Sequence, residues 1–142
     1  MMECTRKICF DAAHRVIGHE SKCKNLHGHR YSLEITAKCK NLNDLGMVVD
    51  FGELKEIMKG WIDANFDHNI ILSHKDRAMG DVIANHTGQS IYYIDSNPTA
   101  ENILLYLKNV VVAKLFKNKT YEIARMRLYE TPNAYVEVIA DE

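Results

Sequence analysis

The sequence predicts an α+β domain with two helices on one face of a four-stranded antiparallel sheet. Three observations carry this. Segments with strict two-residue alternation lie near both ends of the chain. Two stretches with helical spacing of apolar residues lie between them, and each pair of strands is short enough in its connection to close as a hairpin. A chain of 142 residues is read as a single domain over residues 1–142.

The first strand runs from Cys4 to His14. Ile8, Phe10, Ala12 and His14 share one face, and Thr5, Lys7, Cys9, Asp11 and Ala13 the other. The second runs from His27 to Cys39. Its odd positions (His27, His29, Tyr31, Leu33, Ile35, Ala37, Cys39) form a face that is apolar except for two histidines. A turn at 41–46 leads to Asp50, an expected N-cap with Glu53 in capping-box position. Phe51, Leu54, Ile57, Met58, Trp61 and Ile62 then predict an amphipathic helix over about 51–64. Residues from about 73 to 97 read as a long excursion with weak structure, apart from a β-like run at Ser90–Ile94. A second helix is expected from Thr99 as N-cap, with Ala100, Ile103, Leu104, Leu107, Val110 and Val111 buried. The closing hairpin pairs Tyr121–Glu130 with Ala134–Ala140 around Thr131-Pro132-Asn133. It sets Glu130 at the end of the apolar row Ala124, Met126, Leu128.

Composition narrows the function. Hydrophobic residues make up 46% and charged residues 26%, ordinary for a globular protein. A formal charge of -1 with no run of one sign argues against a nucleic-acid partner or an anionic membrane surface. Nothing approaches the roughly 18 apolar residues of a membrane span, and the first residues lack a signal-peptide core. Cys4, Cys9, Cys23 and Cys39 form no Cys-x-x-Cys pair and read as reduced thiols, so a cytoplasmic location is expected.

The chemistry centres on His27-Gly28-His29. Two histidines at i and i+2 of a strand point the same way, from a face where an unpaired imidazole is disfavoured. His14 closes the apolar row of the preceding strand, the expected neighbour. A lone histidine on such a face is more often a core residue bonded to its surroundings. Three converging ones suit zinc, and three ligands leave a fourth position open as in catalytic sites. Cys23 lies four residues before His27, where a nearby dication would favour its thiolate as base or nucleophile. By spacing alone it is equally a fourth ligand or a packing residue. Asp67-His68 places a carboxylate beside an imidazole it could orient, though such a dipeptide is commonly a solvated helix end. Glu130 could bind a donor-rich ligand or meet solvent.

Taken together, Phe10-Asp11-Ala12-Ala13-His14, Cys23-x-x-x-His27-Gly28-His29, Val49-Asp50-Phe51, Asp67-His68, Asn97-Pro98-Thr99-Ala100-Glu101-Asn102 and Glu130-Thr131 form an ordered set along nearly the whole chain. This set resembles the 6-pyruvoyl-tetrahydropterin synthase and 6-carboxytetrahydropterin synthase family. The resemblance implies a tunnelling fold (T-fold), whose strands join between subunits into a barrel, with two trimers stacked as a homohexamer and active sites at subunit interfaces. It implies Zn2+ on His14, His27 and His29, and a proton-transfer group of Cys23, Asp67 and His68 shared between neighbouring subunits. It also implies a pterin substrate held by Glu130, with Thr99 and Thr131 lining the pocket.

The three-residue spacer between Cys23 and His27 is similar to the 6-carboxytetrahydropterin synthases of the queuosine pathway; pyruvoyl enzymes of animals usually have a longer one. The implied activity is that of a zinc-dependent carbon–carbon lyase. It converts 7,8-dihydroneopterin triphosphate to 6-carboxy-5,6,7,8-tetrahydropterin with release of acetaldehyde and triphosphate. The alternatives are pyruvoyl-tetrahydropterin synthesis, which leaves the side chain intact, and a non-catalytic zinc-stabilised binding module. The excursion at 73–97 is longer than in the shortest family members.

Overall fold

The structure, a computed structural model, describes residues 1–140. Two long strands, β1 (Met2–His14) and β2 (His27–Cys39), pair antiparallel along their whole length, from Met2 opposite Cys39 to His14 opposite His27. Helix α1 follows at Phe51–Asn65, then β3 (Asn69–Ser73), α2 (Arg77–Thr87) and β4 (Tyr92–Ile94). Helix α3 begins at Ala100–Tyr106 and continues as a π-helical stretch over Leu107–Val112, ending with Ala113–Leu115. Strands β5 (Glu122–Thr131) and β6 (Ala134–Ile139) close the chain as a hairpin.

The four antiparallel strands expected from the sequence are present, in the order β1-β2-β5-β6. The sheet is larger than four strands, however. β3 joins the free edge of β1 in parallel, and β4 joins β3 in parallel, giving β4-β3-β1-β2-β5-β6. The excursion is therefore ordered, which corrects the expectation of weak structure. Its helix α2 packs lightly, with only Gly80 fully buried in it.

The inward rows behave as alternation requires. Ile8, Phe10 and Ala12 of β1, Tyr31, Leu33, Ile35 and Ala37 of β2, and Ala124, Met126 and Leu128 of β5 are all buried. Leu54, Met58 and Ile62 of α1 and Ile103, Leu104 and Leu107 of α3 complete the same core. Asp50 caps α1 by accepting the Gly52 N–H at 2.7 Å. The capping box does not close: Glu53 instead accepts the Tyr121 hydroxyl, tying α1 to the start of the last hairpin. Thr99 caps α3 as expected, accepting the Asn102 N–H at 3.1 Å. The buried stripe of α3 shifts partway along. Val110 is half exposed while Val111 and Val112 are buried, because the π-turn inserts an extra residue and rotates the following face.

Glycine matters at two points of the excursion. Gly88 ends α2 in the left-handed conformation at φ 75°, the usual helix-stopping geometry. A Cβ on Gly80 would lie 1.8 Å from the Tyr93 hydroxyl, whose ring is stacked on His74 and covered by Arg77. Gly80→Ala is expected to destabilise the fold by about 1–3 kcal/mol through overpacking. A urea midpoint equal to wild type would mean that the Tyr93 ring swings aside freely.

Candidate metal centre

The register of β1 and β2 creates the site. His14 faces His27 directly, and His29 faces Ala12, so period-two geometry sends all three imidazoles to the inner face at one end of the sheet. Their ring centroids lie 4.7, 4.8 and 5.1 Å apart. Each offers a nitrogen, and these nitrogens lie within 4.8 Å of one another.

Two of the rings are fixed from behind. His14 Nδ1 is 2.6 Å from the Pro98 carbonyl, and His27 Nδ1 is 2.6 Å from the Asn25 carbonyl. A carbonyl only accepts, so each Nδ1 carries the proton and each neutral ring presents a bare lone pair at Nε2. Those two Nε2 atoms face each other at 3.2 Å. His29 Nε2 is buried without a hydrogen-bond partner. Three inward nitrogens, two of them on rings whose Nδ1 is anchored to the backbone, form a donor set that fits a divalent metal.

Electrostatics point the same way. Burial lowers the pKa of His14; the Pro98 carbonyl and Glu130 oppose this, but desolvation wins. Burial likewise lowers His29 against the pull of Glu130. Both rings are thus held neutral, as ligands must be. Glu130, at the end of the β5 apolar row, brings Oε1 to 3.4 Å from His14 Nε2 and 3.8 Å from His29 Nε2.

The remaining expected residues fall into separate groups. Cys23 is half buried in a short 3-10 turn, Lys22–Lys24, and lies outside the set of converging ligand atoms. Thr131 and Glu130 line a groove of about 580 Å³ together with His29, Lys7, Arg30 and Tyr129. The Thr99 hydroxyl serves the α3 cap, directly after the Pro98 carbonyl that holds His14.

Asp67 and His68 form a dyad, with His68 Nδ1 2.9 Å from Asp67 Oδ2. Asp67 also accepts the Asp11 backbone N–H at 2.9 Å, and the His68 N–H donates to the Asp11 carbonyl at 2.7 Å. His68 adopts a left-handed φ of 58°, uncommon for a non-glycine residue. Burial pushes the Asp67 carboxyl up, but the Asp11 N–H and His68 together hold it below its usual range. The hydrogen bond and charge of Asp67 raise the pKa of exposed His68. The dyad gathers with Asp11 and Arg30, whose side chains leave the strands on the face opposite His14 and His29.

Several supporting groups were not singled out as site residues from the sequence. Pro98 lay within a recognised motif, but its role is a backbone carbonyl. Asn25 contributes only its carbonyl and carries no sequence signal. Arg15 pairs with buried Asp76, fastening the end of β1 to the excursion.

The family described as 6-pyruvoyl tetrahydropterin synthase matches residues 3–141. The chain belongs to that family. It is 56% identical over 138 residues to a protein of Rickettsia bellii named 6-carboxy-5,6,7,8-tetrahydropterin synthase, covering 97% of this chain and 100% of the relative. A Haemophilus influenzae protein of the same name is 30% identical over 142 residues, covering 96% and 98% of the two chains. Among solved structures, an uncharacterized protein from Wolinella succinogenes aligns with a TM-score of 0.82 at 20% identity, covering 99% and 98%. The 6-pyruvoyl tetrahydropterin synthase of Caenorhabditis elegans aligns with a TM-score of 0.73 at 20% identity, covering 99% and 96%. The fold is the T-fold of the 6-pyruvoyl tetrahydropterin synthase family. No helix among the described residues is long and apolar enough to cross a membrane.

The lowered pKa values of His14 and His29 set a pH dependence. Below their ordinary value of about 6.5 the unfolded chain takes up protons that the fold resists. Their contribution to metal-free stability is therefore complete above that pH and falls as the solution is acidified toward their folded-state values. Exposed His68 has the opposite sign. A His14→Gln/His29→Gln double variant is expected to show a shallower loss of urea midpoint between about pH 7 and 5 than wild type, both measured in chelator. Parallel slopes would show that these imidazoles are not protected from protonation.

Proposed function

We propose that the protein is a zinc-dependent carbon–carbon lyase that converts 7,8-dihydroneopterin triphosphate to 6-carboxy-5,6,7,8-tetrahydropterin, releasing acetaldehyde and triphosphate. The supporting observation is the convergence of three imidazoles on the inner face, two of them anchored through Nδ1 to backbone carbonyls, in a chain 56% identical to a relative named for that product. The three-residue spacer between Cys23 and His27 supports the carboxy branch. The reaction belongs to queuosine biosynthesis, and a cytoplasmic location accords with it.

His14, His27 and His29 hold the zinc. When bound, zinc supplies Lewis acidity toward the side-chain hydroxyls of the pterin. The protein's own groups do the rest. Cys23, outside the ligand set, removes a side-chain proton as thiolate. His68 exchanges the complementary proton, with Asp67 orienting its ring and raising its basicity. Glu130 accepts hydrogen bonds from the pterin amino and ring N–H groups, and Thr131 beside it borders the same groove. Thr99 lines the pocket from the α3 end. Because Asp67 and His68 gather with residues of the opposite sheet face, the dyad serves the Cys23 of a neighbouring copy. A homohexamer of two stacked trimers, with sites at subunit interfaces, provides that arrangement.

Zinc-loaded protein incubated with 7,8-dihydroneopterin triphosphate is expected to yield acetaldehyde and the carboxypterin, identified by mass spectrometry. An intact pyruvoyl side chain would place it in the other branch, and an untouched substrate would leave a binding module. Cys23→Ala should keep its zinc and lose turnover by orders of magnitude, whereas His27→Ala should lose both. Zinc loss from Cys23→Ala would make the thiol a ligand.

Asp67→Asn removes the charge that raises His68. The His68 ring should then titrate at lower pH by NMR, with kcat falling about 10²–10⁴-fold if the dyad acts in proton transfer. An unmoved His68 titration would separate the two residues.

A further inference from the structure

We propose that Asn97 is a positioning residue that holds the Cys23-bearing loop in register with the metal-ligand strand. The inference rests on the functional reading above and extends it to a residue that contacts neither metal nor substrate.

The loop between His14 and His27 has little to hold it by burial. Ile17 is 42% exposed, and the loop's 3-10 turn has no buried residue. Its internal frame is one bond from the Val16 N–H to the Cys23 carbonyl at 2.8 Å, supplemented by short-range turn contacts. Its fixed point lies elsewhere. The Asn97 side-chain amide accepts the Ile17 N–H at 2.9 Å and donates to the Ile17 carbonyl at 2.8 Å, taking both backbone groups of one residue.

Asn97 is itself anchored. Its carbonyl accepts from Asn102 Nδ2 at 2.9 Å and from the Thr99 N–H at 2.8 Å, locking it to the start of α3. The next carbonyl along the chain, that of Pro98, takes the Nδ1 proton of His14. One dipeptide therefore grips the metal-ligand ring with one residue and the cysteine loop with the other. Asn97-Pro98 thus ties the Ile17 end of the cysteine loop to the carbonyl that anchors His14, beside the loop's own bond between Val16 and Cys23.

Only a primary amide matches this task. It presents one acceptor and one donor side by side in a plane. Aspartate would set a second carboxylate oxygen against the Ile17 carbonyl, two acceptors face to face. Alanine removes both bonds.

The test compares wild type, Asn97→Asp and Asn97→Ala, all zinc-loaded. Turnover of 7,8-dihydroneopterin triphosphate should fall about tenfold to a hundredfold in kcat, with KM little changed and zinc content at wild-type stoichiometry. The rate at which iodoacetamide alkylates Cys23, followed on its peptide by mass spectrometry, should rise several-fold in both variants. A Cys23 alkylation rate equal to wild type overturns the proposal, as does wild-type kcat in Asn97→Ala or a kcat loss no greater than the zinc lost. If wild type itself leaves the substrate untouched, the functional reading fails, and the alkylation rates alone still decide the role of Asn97.

Discussion

Two hydrogen bonds govern the site: the Nδ1 protons of His14 and His27 given to the carbonyls of Pro98 and Asn25. Each removes the tautomeric freedom of an imidazole and turns its lone pair inward. The consequence is a pair of acceptors facing each other at 3.2 Å, an arrangement two neutral rings would not choose in water. Strand pairing imposes it. β1 and β2 are locked residue against residue from Met2–Cys39 to His14–His27, and a slip of β2 by one position would turn His27 and His29 to the face opposite His14. The hydrophobic rows that forbid such a slip are thus also what aligns the ligands.

The segment after α1 extends this constraint to the other edge of β1. β3 pairs with Ala12–His14, so the backbone that carries His14 is flanked on both edges. Asp76 is buried and pairs with Arg15, one residue beyond His14. A charge so buried is costly unless matched, which makes the pair a fixed register point rather than a source of net stability. The segment leading into β3 carries Asp67 and His68, and backbone bonds to Asp11 hold it. β3 and Asp76 therefore brace the histidine cluster, and the turn before β3 holds the dyad.

Much of this was legible in the sequence because strands obey a simple period. The faces of residues 4–14 and 27–39, and the place of Glu130 at the end of its row, follow from alternation. The caps at Asp50 and Thr99 follow from side-chain chemistry. Illegible features have physical reasons. Helix α2 carries Ala78, Met79, Val82, Ile83 and Ala84, yet none of them is fully buried and only Gly80 is, so its packing leaves a weak mark on the pattern. The π-turn at Leu107–Val112 moves burial from Val110 to Val112 with no compositional mark. The reciprocal half of the capping box was lost to competition, because Glu53 found the Tyr121 hydroxyl. The carbonyls of Asn25 and Pro98 escaped notice because any residue has one, and only the fold says where it points.

The charge balance around the imidazoles suits a divalent ion better than protons. Burial works against an imidazolium at His14 and at His29, while Glu130 stands within 4 Å of both and favours positive charge there. A proton satisfies the carboxylate only by creating the desolvated cation that burial resists. A divalent ion meets both demands: it places positive charge beside Glu130 and leaves each ring neutral, with its lone pair engaged. The same carboxylate borders the open groove together with Thr131 and His29. Desolvated imidazoles on one side and an acceptor carboxylate on the other give the cluster a direction.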